Sequence, residues 1–375
     1  MNFEEHAAKP LLAAAGIATP PGAVATSADE AEAIARRIGA CVVKAQVPTG
    51  KRGKAGGIKL AATPEAAAAA AGEILGMEIG GHRVARVLVE AQVGIAAEYY
   101  AAVLNDPETK GPLLLFSAMG GIEVEELAAT RPDALLRLPI DIRRGPLRGE
   151  VAPVLADLGL DGAAAAAVTE VLEKLYTAYR DNDAELVEIN PLALTDDGGL
   201  VALDCKFVLD DSALPRQAAL AANGSPEALT DLEAEARAIG LRFIELDGSV
   251  GVLANGAGLT MTTIDAVRHY GGEPANFLEI GGDAYVKATP ALKLVLANPK
   301  VKSLLINFCG AVARTDVMTG GVLDAWDELK PSLPVFFSIH GTGEEEAVAM
   351  LRERLGLEPF DLMDDAVKAA VEAAR

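Results

Sequence analysis

Residues 185–208 read ELVEINPLAL, TDDGG, LVALDCKFV: two runs of alternating apolar and polar residues on either side of Thr195-Asp196-Asp197-Gly198-Gly199. Alternation with period two marks strands, and a short Asp- and Gly-rich break between them predicts an antiparallel hairpin. Counting outward from a turn symmetric about Asp197 sets Leu194 against Leu200 and Asn190 against Asp204, with Cβ atoms roughly 5 Å apart. Glu188 and Asn190 share one face, while Val187 and Ile189 take the other. A carboxylate and an amide oxygen then meet at one point. Mg²⁺ accepts a few such hard oxygens and fills its other positions with water and nucleotide phosphates. A polar outer face is the better account of any single Asp or Asn on a hairpin, but three acceptors on one face favour the metal.

Toward the N-terminus, Lys44 ends the apolar run Cys41-Val42-Val43 and is followed by Gly50-Lys51-Arg52-Gly53-Lys54-Ala55-Gly56-Gly57. Glycines allow a backbone to approach an anion closely, and the cations here oppose an acidic remainder. The segment is expected to face phosphate, although it carries no Gly-x-x-x-x-Gly-Lys-Ser/Thr motif; a solvated basic turn is the plainer alternative. Residues 41–45, 86–93, 98–105 and 112–118 are expected as strands in antiparallel meanders. Helices are expected to begin near Asn2, Ser27 and Thr63-Pro64, with Gly16 and Gly39 as stops for the first two. Asn2 with Glu5, and Ser27 with Glu30, have capping-box spacing, and Pro10 is expected to bend or divide the first helix.

Beyond the hairpin, residues 211–239 lose strand character around Asn223-Gly224-Ser225-Pro226. From Ser249 onward, short apolar runs at 250–254, 275–280, 302–308 and 334–339 alternate with helical stretches. That order predicts a doubly wound α/β unit, a parallel sheet covered on both faces. Asn255-Gly256-Ala257-Gly258, Gly281-Gly282-Asp283, Cys309-Gly310-Ala311 and Gly341-Thr342-Gly343 follow the runs and precede helices, where backbone amides favour anions. Ordinary tight turns account for most of them as well. The expected division is a first domain at 1–220, a connection at 221–244 and a second domain at 245–375.

A chain of 375 residues exceeds what one core usually organises, and its formal charge of -21 disfavours extended contact with nucleic acid or anionic lipid. No apolar run approaches the roughly 20 residues of a membrane span, and residues 1–16 lack the pattern of a signal peptide, so a cytoplasmic protein is expected. Cys41, Cys205 and Cys309 are far apart, each within an apolar run. They read as reduced core thiols; a catalytic thiol is the lesser alternative.

Several blocks together carry a resemblance. Asn2-Phe3-Glu4-Glu5-His6-x-Ala8-Lys9, Val43-Lys44-Ala45-Gln46, Arg52-Gly53-Lys54-Ala55-Gly56-Gly57, Val89-Glu90-Ala91, Glu188-Ile189-Asn190-Pro191-Leu192, Leu203-Asp204-x-Lys206, Asn255-Gly256-Ala257-Gly258-Leu259 and Gly271-Gly272-Glu273-Pro274-Ala275-Asn276-Phe277-Leu278 stand in order along the chain. The chain resembles the β subunits of the succinyl-CoA synthetases. The resemblance implies an N-terminal ATP-grasp domain, holding ATP between two α+β lobes, and a flavodoxin-like CoA-ligase domain after it. Carried over, Lys44, Lys51, Arg52 and Gly53 contact phosphate or cover it, and Glu90, Glu98 and the backbone of Val93 hold adenine and ribose. Asn190 and Asp204 bind Mg²⁺, Glu188 meets the phosphohistidine loop of a partner α subunit, and Asn255, Ala311, Val312 and Ala313 touch the carboxylate substrate. In this family the CoA site and the phosphorylated histidine belong to that α subunit. None of His6, His82, His269 and His340 lies on a motif that would make it the phosphorylated residue.

Departures from the family pattern fall where the acid is expected. Gly310-Ala311-Val312-Ala313 follows Asn307-Phe308-Cys309 where Gly-Gly-Ile-Val usually follows Asn-Ile-Phe, and Ser338-Ile339-His340-Gly341-Thr342-Gly343 replaces Arg-Leu-Glu-Gly-Asn-Asn. Cys205 stands where glycine is common. Loss of the arginine and gain of His340 leave succinate as the leading acid, with malate, a sulfonated acid or a longer dicarboxylate as alternatives. Pro20 matches ATP-using relatives and favours ATP over GTP. A stand-alone ATP-grasp carboxylate–amine ligase would leave the second domain without a task, and intact Lys44, Asn190 and Asp204 argue against a non-catalytic regulatory subunit.

Overall fold

In the computed structural model, strands Ile95–Asp106 and Ala184–Thr195 run antiparallel side by side at the middle of a six-stranded sheet. Residues 1–122, 124–146, 148–226, 229–280 and 287–375 are described. Gly111–Ser117 and then Leu136–Pro139 extend the sheet on one side, while Leu200–Ala202 and Lys206–Leu209 pair with Ala184–Thr195 on the other. The hairpin register is the counted one: Leu194 pairs with Leu200, and Glu188 pairs with Lys206 beyond the break in the second arm. Val187 and Ile189 point into the core and are fully buried. Helix Gly162–Asp181 covers that face with Ala165, Val168, Leu172, Leu175, Tyr176 and Tyr179, a stripe at helical spacing. Each Val or Leu in the stripe contributes about 1.5–3 kcal/mol by leaving water.

A second, four-stranded antiparallel sheet takes the order Gly22–Ala25, Val87–Ala91, Cys41–Ala45, Ile58–Ala61. Helices Ala28–Ile38 and Pro64–Ile74 pack on it, the latter through Ala67, Ala70, Ala71 and Ile74. Both start where their sequences predict, Ser27 Oγ accepting from Glu30 N at 3.2 Å and Thr63 Oγ1 from Ala66 N at 3.2 Å, but the Ser27–Glu30 capping box is only half formed, because Glu30 Oε2 accepts from Thr26 N at 2.7 Å. The first helix, Glu5–Ala14, differs from expectation in two ways. Pro10 lies inside it without dividing it, and no side chain caps its start, because Glu5 turns inward to buried cations instead of forming a capping box with Asn2. Both sheets and the first helix lie in a compact unit, Met1–Glu227.

The other unit, Ala228–Arg375, is built on parallel strands in the order Val250–Ala254, Ser303–Gly310, Val335–Gly341. Asn276–Leu278 flanks Val250–Ala254 through parallel bridges at Val250–Pro274 and Ala254–Glu279, and Phe360 bridges Ser338 at the far side. In chain order this is 2-1-3-4-5, the flavodoxin-like winding. Leu253, Leu304, Ile306 and Phe308 pack on one face with helices Ala288–Ala297, Thr315–Leu329 and Glu344–Leu355, and Val250, Val252 and Leu305 pack on the other with Ala257–His269 and Met363–Ala373. The expected connection at 221–244 is partly a built piece of this unit. Helix Asp231–Ala238 has a Thr230–Glu233 capping box, Ala236 joins the core, and Phe243–Glu245 pairs with Asn276–Leu278. Gly281-Gly282-Asp283 lies outside the described residues. Among the described residues no helix is long and apolar enough to cross a membrane.

Candidate functional site

Six charged residues from five parts of the first unit meet in one cluster, five of them buried and Asp204 at its exposed edge. Lys44, near the end of strand Cys41–Ala45, donates through Nζ to Glu5 Oε1 at 2.9 Å, Glu90 Oε2 at 2.8 Å and Leu203 O at 2.5 Å. Arg52 donates through Nη2 to both oxygens of Asp204, at 2.8 and 2.7 Å, and through Nη1 to Glu5 Oε2 at 2.8 Å and Ala45 O at 3.0 Å. Lys9 completes the set on Glu90, at 2.6 Å to each oxygen. Burial works against every charge here. Burial alone would raise the Glu5 carboxyl, but Lys44, Arg52 and Lys9 outweigh it and hold the group well below the usual carboxylate range. Burial likewise lowers Lys44, yet Glu5, Glu90 and Asp204 carry it above its ordinary value; for Arg52, Asp204 and Glu5 do the same. Both cations therefore stay charged across the physiological range.

The loop holding Arg52 is a tight turn. Gly57 N donates to Arg52 O at 2.8 Å and Ala45 N to Gly57 O at 2.7 Å; a Cβ on Gly57 would lie 2.7 Å from Ile79 Cδ1 and 3.0 Å from Ala45 Cβ. Lys51 (φ 61) and Gly53 are exposed on this loop. Glu90, expected beside adenine and ribose, is buried, and its carboxylate is engaged by Lys9 and Lys44.

Register sets Asn190 opposite Asp204, since the pairs Leu192–Ala202 and Glu188–Lys206 bracket them. Asn190 Oδ1 accepts from Gly121 N at 2.8 Å, and its Nδ2 donates to Ile122 O at 3.0 Å. Gly120 N in turn donates to Glu98 O at 2.8 Å. Asn190 and Glu98 thus share one loop, which sequence reasoning passed over. Its signal was the Gly120-Gly121 pair after a strand: a Cβ on Gly120 would come within 2.5 Å of Tyr99 O. Half-buried Val93 precedes Gly94, which packs so closely on the hairpin turn that a Cβ there would lie 2.4 Å from Asp196 Oδ2.

Glu188 accepts from Tyr100 Oη at 3.2 Å. Burial raises its carboxyl above the ordinary value, against the pull of Lys206. Among the described residues no group of three or more His, Cys, Asp or Glu forms a metal cage. The donor pair Asn190 and Asp204, hard and oxygen-only, suits Mg²⁺, which takes few protein ligands. Asp204 keeps a side chain 35% exposed beside Arg52. A cleft of about 620 Å³ that includes Asp106, Tyr176 and Tyr179 lies at the opposite end of strand Ile95–Asp106 from Glu98, and none of the expected site residues borders it.

In the second unit, Asn255 follows strand Val250–Ala254 and reaches the neighbouring strand: Nδ2 donates to Cys309 O and Oδ1 accepts from Cys309 N, both at 2.8 Å. The chain leaves these two strand ends in opposite directions, which opens a crevice of the kind where open α/β sheets bind ligands. Ala311 and Val312 are exposed there, Val312 to 95%, and Ala313 is half-buried. Thr342 braces the loop, donating through N to Gly310 O at 2.9 Å and through Oγ1 to Ala311 O at 2.8 Å. Cys309 is exposed, unlike the buried Cys41 and Cys205, because it sits at the strand end beyond the cover of the helices. Across the ladder from it stands His340, with Nδ1 3.6 Å from Glu344.

Comparison with known proteins agrees with this arrangement. Residues 2–194 match the ATP-grasp domain family and residues 253–370 the CoA-ligase family. The succinate–CoA ligase (ADP-forming) subunit beta of Gemmatimonas aurantiaca is 43% identical over 376 aligned positions, covering 100% of this chain and 98% of that one. The succinate–CoA ligase (GDP-forming) subunit beta of Thermus thermophilus is 46% identical over 353 positions, covering 94% and 93%. In fold, the chain is similar to an ATP citrate lyase of Methanothrix soehngenii solved with citrate and coenzyme A, with a TM-score of 0.71 at 24% identity and 99% of each chain covered. With both domain families in order and such relatives matching it from end to end, the chain belongs to the succinate–CoA ligase β-subunit family, an ATP-grasp domain followed by a CoA-ligase domain.

Proposed function

We propose that the chain is the nucleotide-handling subunit of a cytoplasmic acid–CoA ligase, which binds ATP with Mg²⁺ and a small dicarboxylate, succinate first, and works with a separate α subunit carrying CoA and a phosphorylated histidine. The observation that carries this reading is the meeting of Lys44, Arg52 and Asp204 in one cluster, with Asn190 opposite Asp204 in the hairpin. Phosphoryl transfer asks a protein mainly to position groups and neutralise charge. Lys44 and Arg52 supply fixed cations for the phosphates, and the exposed Lys51-Gly53 turn covers them. Asn190 and Asp204 would hold Mg²⁺, which when bound adds further neutralisation of phosphate charge.

Glu98 and the backbone of Val93 take adenine and ribose; Glu90, with its carboxylate on Lys9 and Lys44, orients Lys44. Glu188 offers a carboxylate to the partner's histidine. The chemistry has a clear need for this relay. A carboxylate is a poor acylating agent, so the phosphoryl group of ATP is stored on the histidine, passed to the acid as an acyl phosphate, and displaced by the CoA thiol. Asn255 and the Ala311-Val312-Ala313 loop at the crevice hold the acid.

The test is ATP-dependent thioester formation by the purified chain with its partner subunit, over a panel of mono- and dicarboxylic acids, with GTP in parallel. Succinyl-CoA formed with ATP is the expected result; no thioester from any acid would overturn the reading. Malate, a sulfonated acid or a longer dicarboxylate is the second reading, favoured by His340 pairing with Cys309 on the next strand, near the Ala311-Val312-Ala313 loop.

A further inference from the structure

Glu5 and Lys9 have no part in the chemistry above, yet they occupy the centre of the charged cluster. They stand one turn apart on helix Glu5–Ala14, 2% and 5% exposed, and their side chains meet at 2.8 Å. Glu5 divides its oxygens between the two phosphate-facing cations, Oε1 to Lys44 at 2.9 Å and Oε2 to Arg52 at 2.8 Å. Lys9 spans Glu90 and the carbonyl of Leu203, 2.9 Å away, the residue just before Asp204. One helix therefore grips the strand of Lys44, the loop of Arg52, the strand of Glu90 and the hairpin arm of Asp204. Three cations, Lys9, Lys44 and Arg52, balance three carboxylates, Glu5, Glu90 and Asp204. Buried ion pairs add little net stability, and a well-packed apolar replacement often serves the fold as well, so such a set is better explained by the geometry it imposes.

We propose that Glu5 and Lys9 are positioning residues for the phosphate and metal site. They hold Lys44, Arg52 and the Asp204 arm in the arrangement the nucleotide needs, and the inference rests on the proposed nucleotide function. Arg52 shows how the hold works. Its Nη2 lies on both oxygens of Asp204, while its Nη1 is fixed separately by Glu5 and Ala45 O. When nucleotide arrives, its phosphate offers Nη2 a new acceptor and Asp204 is released to act as a ligand. Glu5 keeps the other nitrogen, and with it the whole guanidinium, in place during that exchange.

The test uses the full chain and two readouts, thermal midpoint and the affinity for ATP with Mg²⁺ by calorimetry. Glu5→Gln and Lys9→Met each leave a buried charge unpaired, so both lower the midpoint. The double variant Glu5→Gln/Lys9→Met restores the balance, with Lys44 and Arg52 against Glu90 and Asp204. It is expected to recover the midpoint and still bind the nucleotide about tenfold more weakly or worse, the scale of one lost charge-assisted hydrogen bond. Glu5→Asp, which keeps the charge but withdraws it by one methylene, serves if the double variant does not fold, and the same loss is expected. Wild-type affinity in whichever of these two variants folds would overturn the inference, leaving the pair a role in charge balance alone. Failure of the wild-type chain to bind nucleotide would instead overturn the functional reading, and the inference with it.

Discussion

Asp204 is engaged by Arg52 through two hydrogen bonds, at 2.8 and 2.7 Å, and opposes Asn190 in the hairpin. Asp204→Asn keeps the size and removes the charge. Phosphorylation of the partner by ATP is expected to fall about 100-fold, the loss typical of one preorganised charge-stabilising group; a wild-type rate would contradict the assigned role. Glu5 lends itself to a pH experiment. Its carboxyl is held below its ordinary value of 4.5 in the folded chain, so its contribution is fully present above that value and is lost as pH falls from 4.5 toward the depressed one. The thermal midpoint of Glu5→Gln is therefore expected to lie below wild type at pH 7, with the gap narrowing below about pH 4.5. A gap that stayed constant down to acid-induced unfolding would show that the cations do not depress this group.

The hairpin and the loop that rests on it behave as one element. Asn190 anchors the loop through Gly121 and Ile122, and Gly120 lies against strand Ile95–Asp106, where a Cβ would meet Tyr99 O at 2.5 Å. Backbone cannot yield as a flexible side chain can, so Gly120→Ala is expected to cost about 1–3 kcal/mol and to loosen Asn190 as well. Denaturant melts would measure the first effect and nucleotide affinity the second. Gly72, inside helix Pro64–Ile74 with nothing within 4 Å of an added Cβ, provides the contrast. Gly72→Ala is expected to stabilise by about 0.4–1 kcal/mol, since it restricts the unfolded chain without disturbing the folded one. Destabilisation there would mean that the helix face is not open.

The chain as a whole carries two compact units, each with its own core, so heat should unfold it in more than one step. ATP with Mg²⁺ is expected to raise the transition of the first unit by mass action and to leave the second unmoved, as read by calorimetry with and without ligand. A shift of both together would contradict placing the nucleotide on Met1–Glu227 alone. Much of this organisation was legible in the residues. The pairing of Leu194 with Leu200, the buried Val187 and Ile189, the helix starts at Ser27 and Thr63, and the parallel strands beyond Ser249 all follow from local periods of two and 3.6 residues and from capping chemistry. Those periods arise from backbone geometry, so a short stretch determines them by itself. The partners of Lys44 and Arg52, the inward turn of Glu5, the burial of Glu90 and the exposure of Cys309 were not legible. Only the tertiary structure decided them: a charge buried by packing must take whichever opposite charge the packing brings near, however distant in the chain, and Cys309 is exposed because its strand end runs past the covering helices.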